Sequence, residues 1–106
     1  MRIEDIDNAA EKMLEDSKIR VRKTDDNDLD KDLKRHIAFA IEDLARIGVH
    51  EDYLKEINAP ILIEAVLTYV NANYRMDSNH ERLMNNYNMI LTKIKGGDFK
   101  SKPQSN

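Results

Sequence analysis

The chain contains no cysteine and no tryptophan. The first absence excludes disulfides and thiolate-bound metals, and it suits an intracellular compartment. Three glycines and two prolines in 106 residues leave few places where backbone could wrap a ligand. There is no glycine-rich phosphate loop, no HExxH, no Ser/His/Asp set and no pair of histidines at metal spacing. His80 and Glu81 are neighbours on a helix and diverge by about 100°, so they do not form a site. These absences argue against an enzyme and against any cofactor or metal. The longest apolar run, Ala59 to Val70, is interrupted by Glu64 and Thr68. It falls short of the roughly 20 residues that a spanning helix needs. The N-terminus turns acidic at Glu4, which does not fit a secretory signal. The net charge of −3 provides no global positive field toward nucleic acid or an anionic membrane.

What is present is charge and helical periodicity. Charged residues make up 35% of the chain and aromatics only 6%, a balance that suits solvated helices better than a β-sandwich. The length fits one domain with a thin core. The expectation is an all-α fold: a small bundle of about four helices over residues 1–97, followed by a flexible tail, 98–106, poor in residues to bury.

The most apolar stretch, Pro60 to Arg75, organises the rest. At about 100° per residue, Glu64, Thr68, Asn71 and Arg75 fall on one thin polar line. Apolar residues cover roughly two thirds of the circumference. Such a helix is covered on several sides, by its own bundle, by a second chain, or by both. Pro60 suits the first helical position, where its missing N–H costs nothing.

Around it, residues 3–17 read as an amphipathic helix with Ile3, Ile6, Ala10, Met13 and Leu14 on one face. Ser17 to Lys23 alternates basic with apolar residues and reads as a short extended segment. Its Lys18, Arg20, Arg22 and Lys23 are candidate phosphate contacts, although no aromatic is interleaved to stack on a base. The acidic run 24–32 resembles a calcium loop but fails its rules. With Asp26 first, Lys31 stands where glycine is required and Ile37 where glutamate is required. It reads better as a helix start, with surplus carboxylates where the dipole is positive.

Residues 28–47 form a strongly periodic helix, with Leu29, Leu33, Ile37, Ala40, Ile41, Leu44 and Ile47 on its face. Gly48 is placed to end it. Phe39 lies off that face, next to Asp32, Arg35 and Arg46. Residues 49–59 are a connector with one helical turn near 52–57. Ser78 and Glu81 have capping-box spacing for a last helix. Its face carries Leu83, Met84, Tyr87, Ile90, Leu91 and Ile94, and it stops at Gly96-Gly97.

The runs DSKIRVRKTDDNDLDKDLKRHIAFAIEDLARIGV (16–49), PILIEAVLTYVNANYRMD (60–77) and ERLMNNYNMILTKIKG (81–96) together resemble phage head–tail connector proteins, the DNA-packaging connector family of tailed phages. The shared features are a basic segment and Asp-rich cap before a periodic helix ending near glycine, then an apolar helix from a proline to a Tyr-containing end, then a closing helix with Tyr87 in place. The likeness covers about residues 14–97.

The resemblance implies a non-enzymatic, helical virion protein of the neck, made in the host cytoplasm. It would assemble as a homo-oligomeric ring beneath the portal protein and extend the DNA channel toward the tail and stopper proteins. It transfers no site residues. From the sequence itself, the candidate interface residues are Phe39, Arg35, Arg46, Tyr69 and Tyr74. A ring repeats one heterologous contact, so each subunit needs two different adhesive faces. An acidic balance also suits a channel through which DNA slides without sequence-specific binding. Two other readings stand beside this one. The first is a small nucleic-acid-binding or regulatory module using the basic segment 18–23. The second is a helical adaptor that binds a partner helix.

Overall fold

Among the described residues of the computed structural model (2–21, 30–74 and 78–102), there are five helices and no strand. They are α1 (Ile3–Arg20), α2 (Asp30–Arg46), α3 (Glu51–Lys55), α4 (Pro60–Tyr74) and α5 (His80–Lys95). The four long helices pack in a chain of neighbours: α1 on α2, α2 on α4, and α4 on α5. The short α3 closes one end against α1 and α2.

The stripe read from the periodicity of α2 is the stripe that packs. Leu33, Ile37, Ala40, Ile41 and Leu44 are all fully buried, while Leu29 lies outside the described residues. The helix ends in a Schellman turn. Gly48 N–H donates to the Ala45 carbonyl and Val49 N–H to the Leu44 carbonyl, both at 3.1 Å. This geometry requires the positive φ of 104° that Gly48 adopts. At the other connector, Ala59 accepts the first backbone bonds of α4, from Leu62 and Ile63, so Pro60 enters the helix without losing a donor.

Four expectations are corrected. The basic segment 17–23 is not extended as far as it is described. α1 runs on to Arg20, with Val21 as its cap. The residue that misleads is Ser17, which is polar yet fully buried. With Val21 it continues the stripe of Ala10, Met13 and Leu14 at helical spacing, and the Ile19/Val21 alternation is incidental. Arg22 and Lys23, like most of the acidic run 24–32, lie outside the described residues.

Second, α4 does not present surplus apolar girth. Among its residues only Pro60 and Glu64 are exposed. Leu62, Ala65, Val66, Leu67, Val70 and Ala72 are buried, as is Thr68 from the supposed polar line. Flanking helices α1, α2 and α5 sheathe it from several directions.

Third, Ser78 and Glu81 do not form a capping box. The N-cap of α5 is Asn79, which has helical backbone angles and no side-chain cap bond. The start of α5 is instead tied to the end of α4, where His80 Nδ1 donates to the Ala72 carbonyl at 2.7 Å.

Fourth, the tail is docked where it begins. Phe99 packs edge-on against Tyr53 at 5.0 Å, and its carbonyl accepts from the His50 N–H at 2.7 Å. A lone aromatic in a polar run was enough to fold those residues back. Residues 103–106 lie outside the described ones.

Ser17 yields a test of the α1 docking. Its hydroxyl is buried and finds no hydrogen-bond partner. Replacing it removes that desolvation cost and improves helix propensity. Ser17→Ala is therefore expected to stabilise the fold by about 1 kcal/mol. Thermal melting should show a rise of roughly 5 °C. A drop in melting temperature would mean that the hydroxyl is satisfied.

Candidate functional site

The candidate interface residues divide between two places. On α2, Arg35, Phe39 and Arg46 follow an i, i+4, i+11 spacing, which keeps them within roughly 40° of one another on its outer side. Phe39 is 48% exposed, yet it does not project freely. Its ring stacks on Tyr69 of α4 with centroids 5.4 Å apart and planes 9° from parallel. Tyr69 in turn rests against Tyr87 of α5, at 5.2 Å and 57°. Three helices thus contribute one ring each to a ladder that descends from solvent into the core, ending on the fully buried Tyr87.

The inner end of the ladder is fixed by charge. Tyr87 Oη donates to Asp43 Oδ2 at 2.7 Å, and Arg46 donates to Asp43 Oδ1 at 2.9 Å. Burial raises the Tyr87 phenol well above its ordinary value, and donation to the Asp43 carboxylate raises it further. Burial, with the charge of Asp43, raises the Tyr69 phenol as well. Both phenols stay neutral near pH 7, so the Tyr87 proton is available to hold Asp43. The backbone beneath Tyr69 is also tied down, since Asn73 Nδ2 donates to the Tyr69 carbonyl at 2.8 Å.

Of the five residues singled out from sequence, the structure brings Phe39, Tyr69 and Arg46 together around Asp43. Arg35 is exposed on the same side of α2, one turn before Phe39. Tyr74 does not join them. It is five residues from Tyr69, roughly 140° around α4, and packs half-buried at the edge of the core. Asp43 was missed. Its signal was legible as an i, i+3 pair with Arg46, but its second partner, Tyr87, is 44 positions away.

Compared with family models, curated proteins and solved structures, the chain matches none of them.

Both described members of the basic segment are engaged within the fold. Lys18 pairs with Asp30 at 3.1 Å, and Arg20 grips both oxygens of Glu64 at 2.9 Å each. Together with Lys34–Glu11 at 2.8 Å and Lys12–Glu56 at 3.6 Å, these pairs clamp α1 along its length. A phosphate would have to displace these carboxylates to reach Lys18 or Arg20. Among the described residues, no group of three or more side chains is placed to hold a metal, and no helix is long and apolar enough to cross a membrane.

The Arg20–Glu64 clamp gives the fold a pH dependence of known sign. The hydrogen bond from Arg20 is the main cause that lowers the Glu64 carboxyl below its ordinary value of 4.5, with a smaller one from Thr68. A lowered folded value stabilises above the unfolded value, and that stability is lost as pH falls through the folded one. The pair is partly exposed, so its loss costs under about 1 kcal/mol. Below pH 4.5 wild type should lose this increment, whereas Glu64→Gln should lack it at pH 7 and lose nothing there on acidification. Parallel acid titrations followed by denaturant midpoint would test this, and identical slopes would rule the clamp out.

Proposed function

We propose that this chain is a non-enzymatic structural subunit that assembles with copies of itself, in the manner of a head–tail connector ring of a tailed phage. The observation that carries the reading is Phe39, a half-exposed aromatic held flat on Tyr69 instead of moving freely. Aromatics and arginines dominate the energetics of protein interfaces. A ring already immobilised loses little further freedom on binding. Arg46, fixed on Asp43, and Arg35 place cationic groups beside it, as interface rims commonly do.

Self-association thus rests on the outer side of α2 and not on the girth of α4. The likeness to head–tail connectors directs the reading to a virion neck, with portal protein on one side and tail or stopper proteins on the other, and DNA passing through the ring. The net charge of −3 fits that last role, because a strongly basic lumen would retain phosphates by counterion release.

The test is mass and partner. Light scattering over a concentration series should reveal an oligomer, alone or with portal-bearing particles. Phe39→Asp should keep its cooperative melt and weaken assembly at least about tenfold, the loss of roughly 1.4 kcal/mol expected for an interface anchor. A chain that stays monomeric in both settings would end the reading. Loss of the melt in Phe39→Asp would show that the ring belongs to the core.

A further inference from the structure

Two exposed glycines follow α5, and neither backbone angle nor space asks for glycine at either place. Gly96 has φ −81° and ψ −5°, which any residue adopts, and Gly97, unlike Gly48, is not left-handed. A Cβ would meet nothing closer than 3.7 Å at Gly96 and 3.5 Å at Gly97, an ordinary contact. Glycine costs conformational entropy wherever its freedom goes unused. In the folded-back strap, residues 98–102, that freedom is unused, so the joint before it is free to take a second setting.

The strap rests on one seat, the corner between α2 and α3. The Phe99 carbonyl accepts from the His50 N–H at 2.7 Å, and the Phe99 ring stands edge-on to Tyr53 at 5.0 Å. The Tyr53 hydroxyl donates to the Asp98 carbonyl at 3.5 Å. The methylenes of Lys100 lie over Gly48, where a Cβ would meet Cγ at 3.6 Å.

The seat is built by bonds of its own. The Schellman turn at Gly48 and Val49 closes α2, His50 Nδ1 accepts from the Asp52 N–H at 3.1 Å, and the Tyr53 N–H donates to the His50 carbonyl at 3.0 Å. What the strap adds is an acceptor for the His50 N–H, a ring edge for Tyr53 and an aliphatic stem over Gly48. A backbone N–H withdrawn from water needs such an acceptor. The seat therefore fits an extended Phe-Lys segment with its carbonyl turned inward, whichever copy of the chain carries it.

Building on the self-assembly reading above, we propose that in the assembled state each strap opens at Gly96-Gly97 and docks on the Gly48, His50 and Tyr53 seat of a second copy of this chain. Every bond is the one already made within the monomer, so exchange gives up only the advantage of the tether. Copies gathered through the platform that Phe39 forms on Tyr69 offer their seats at an effective concentration that rivals that tether. Each copy gives one strap and receives one, and strap and seat differ. The contact is heterologous, so it is handed on from copy to copy until the rotation closes a ring.

Mixing two half-defective variants tests this directly. Phe99→Ala loses the strap's anchor and keeps the seat. Tyr53→Ala loses the ring of the seat and keeps the strap. Each alone should associate at least about tenfold more weakly than wild type. An equimolar mixture should recover association as dimers of one of each, read by sedimentation velocity. If Tyr53→Ala lacks a cooperative melt, His50→Pro replaces it in the same mixture. The His50 φ of −64° suits proline, and the substitution removes the N–H that the Phe99 carbonyl accepts from. A mixture no more associated than its components, or a Phe99→Ala variant that assembles like wild type, overturns the proposal. In both cases wild-type assembly still stands, with each strap kept on its own chain. A wild-type chain that never associates removes the self-assembly reading itself, and the exchange with it.

Discussion

Val66→Asp will not fold: circular dichroism on heating should show no cooperative transition and little residual helix. Val66 is fully buried in α4, within the cluster that holds Leu33, Ile37, Ile41, Leu44, Leu62 and Val70. No described cation is among the buried side chains, so a carboxylate there stays either charged without a partner or protonated without a bond. Either state costs several kcal/mol, against a total stability on the order of 5–15 kcal/mol for a domain of this size. The loss spreads, because α1, α2 and α5 all pack against α4. Val66→Ala is the control. It removes two methyl groups and should cost about 2 kcal/mol, a fall in melting temperature of roughly 10 °C with cooperativity kept. A cooperative melt of Val66→Asp near that of wild type would place α4 at the margin of the fold.

The same helix shows how far the sequence could be read. Its own apolarity marked it as central, and the periodic face of α2 named its buried residues one by one, because both are local patterns. Whether α4 was covered by its own chain was not a local question. That depended on α1 continuing to Arg20 so that its guanidinium reaches Glu64, and on Phe39 capping Tyr69. A polar Ser17 in the core and an accidental Ile19/Val21 alternation hid the first of these contacts. The second was half visible, since Phe39 stood off the apolar face among arginines, and only its platform was missing from view. Asp43 eluded the reading for the same reason, for a carboxylate facing two partners on different helices has no signature in its neighbours. The docked Phe99 is the simplest case. Composition classed its segment as tail, while one ring and one carbonyl were enough to hold it on Tyr53 and His50.

Tyr87 should show the second large effect, with two substitutions separating its ring from its hydroxyl. Tyr87→Ala empties the site of the largest fully buried side chain among the described residues and should cost roughly 4 kcal/mol. Tyr87→Phe keeps the ring and removes only the donor to Asp43. Arg46 still holds that carboxylate at 2.9 Å, so the cost should be about 1–2 kcal/mol. Alkaline titration distinguishes the hydroxyl further. Burial, then the bond to Asp43, raises the folded phenol above its ordinary value of 10.0. The stability this contributes is complete below pH 10 and is lost as pH rises, because the unfolded chain ionises there and the folded one does not. Wild type should lose up to about 1.4 kcal/mol per pH unit more than Tyr87→Phe above pH 10. Equal slopes would mean that the hydroxyl meets water. The two variants should also part on assembly at a temperature where both are folded. Tyr87→Phe retains the support beneath Tyr69 and should associate like wild type. Tyr87→Ala removes that support, so the Phe39 platform loses its fixed plane and association should weaken beyond what the lost stability explains. Equal association by the two would show that Phe39 recognises its partner without the rings below it.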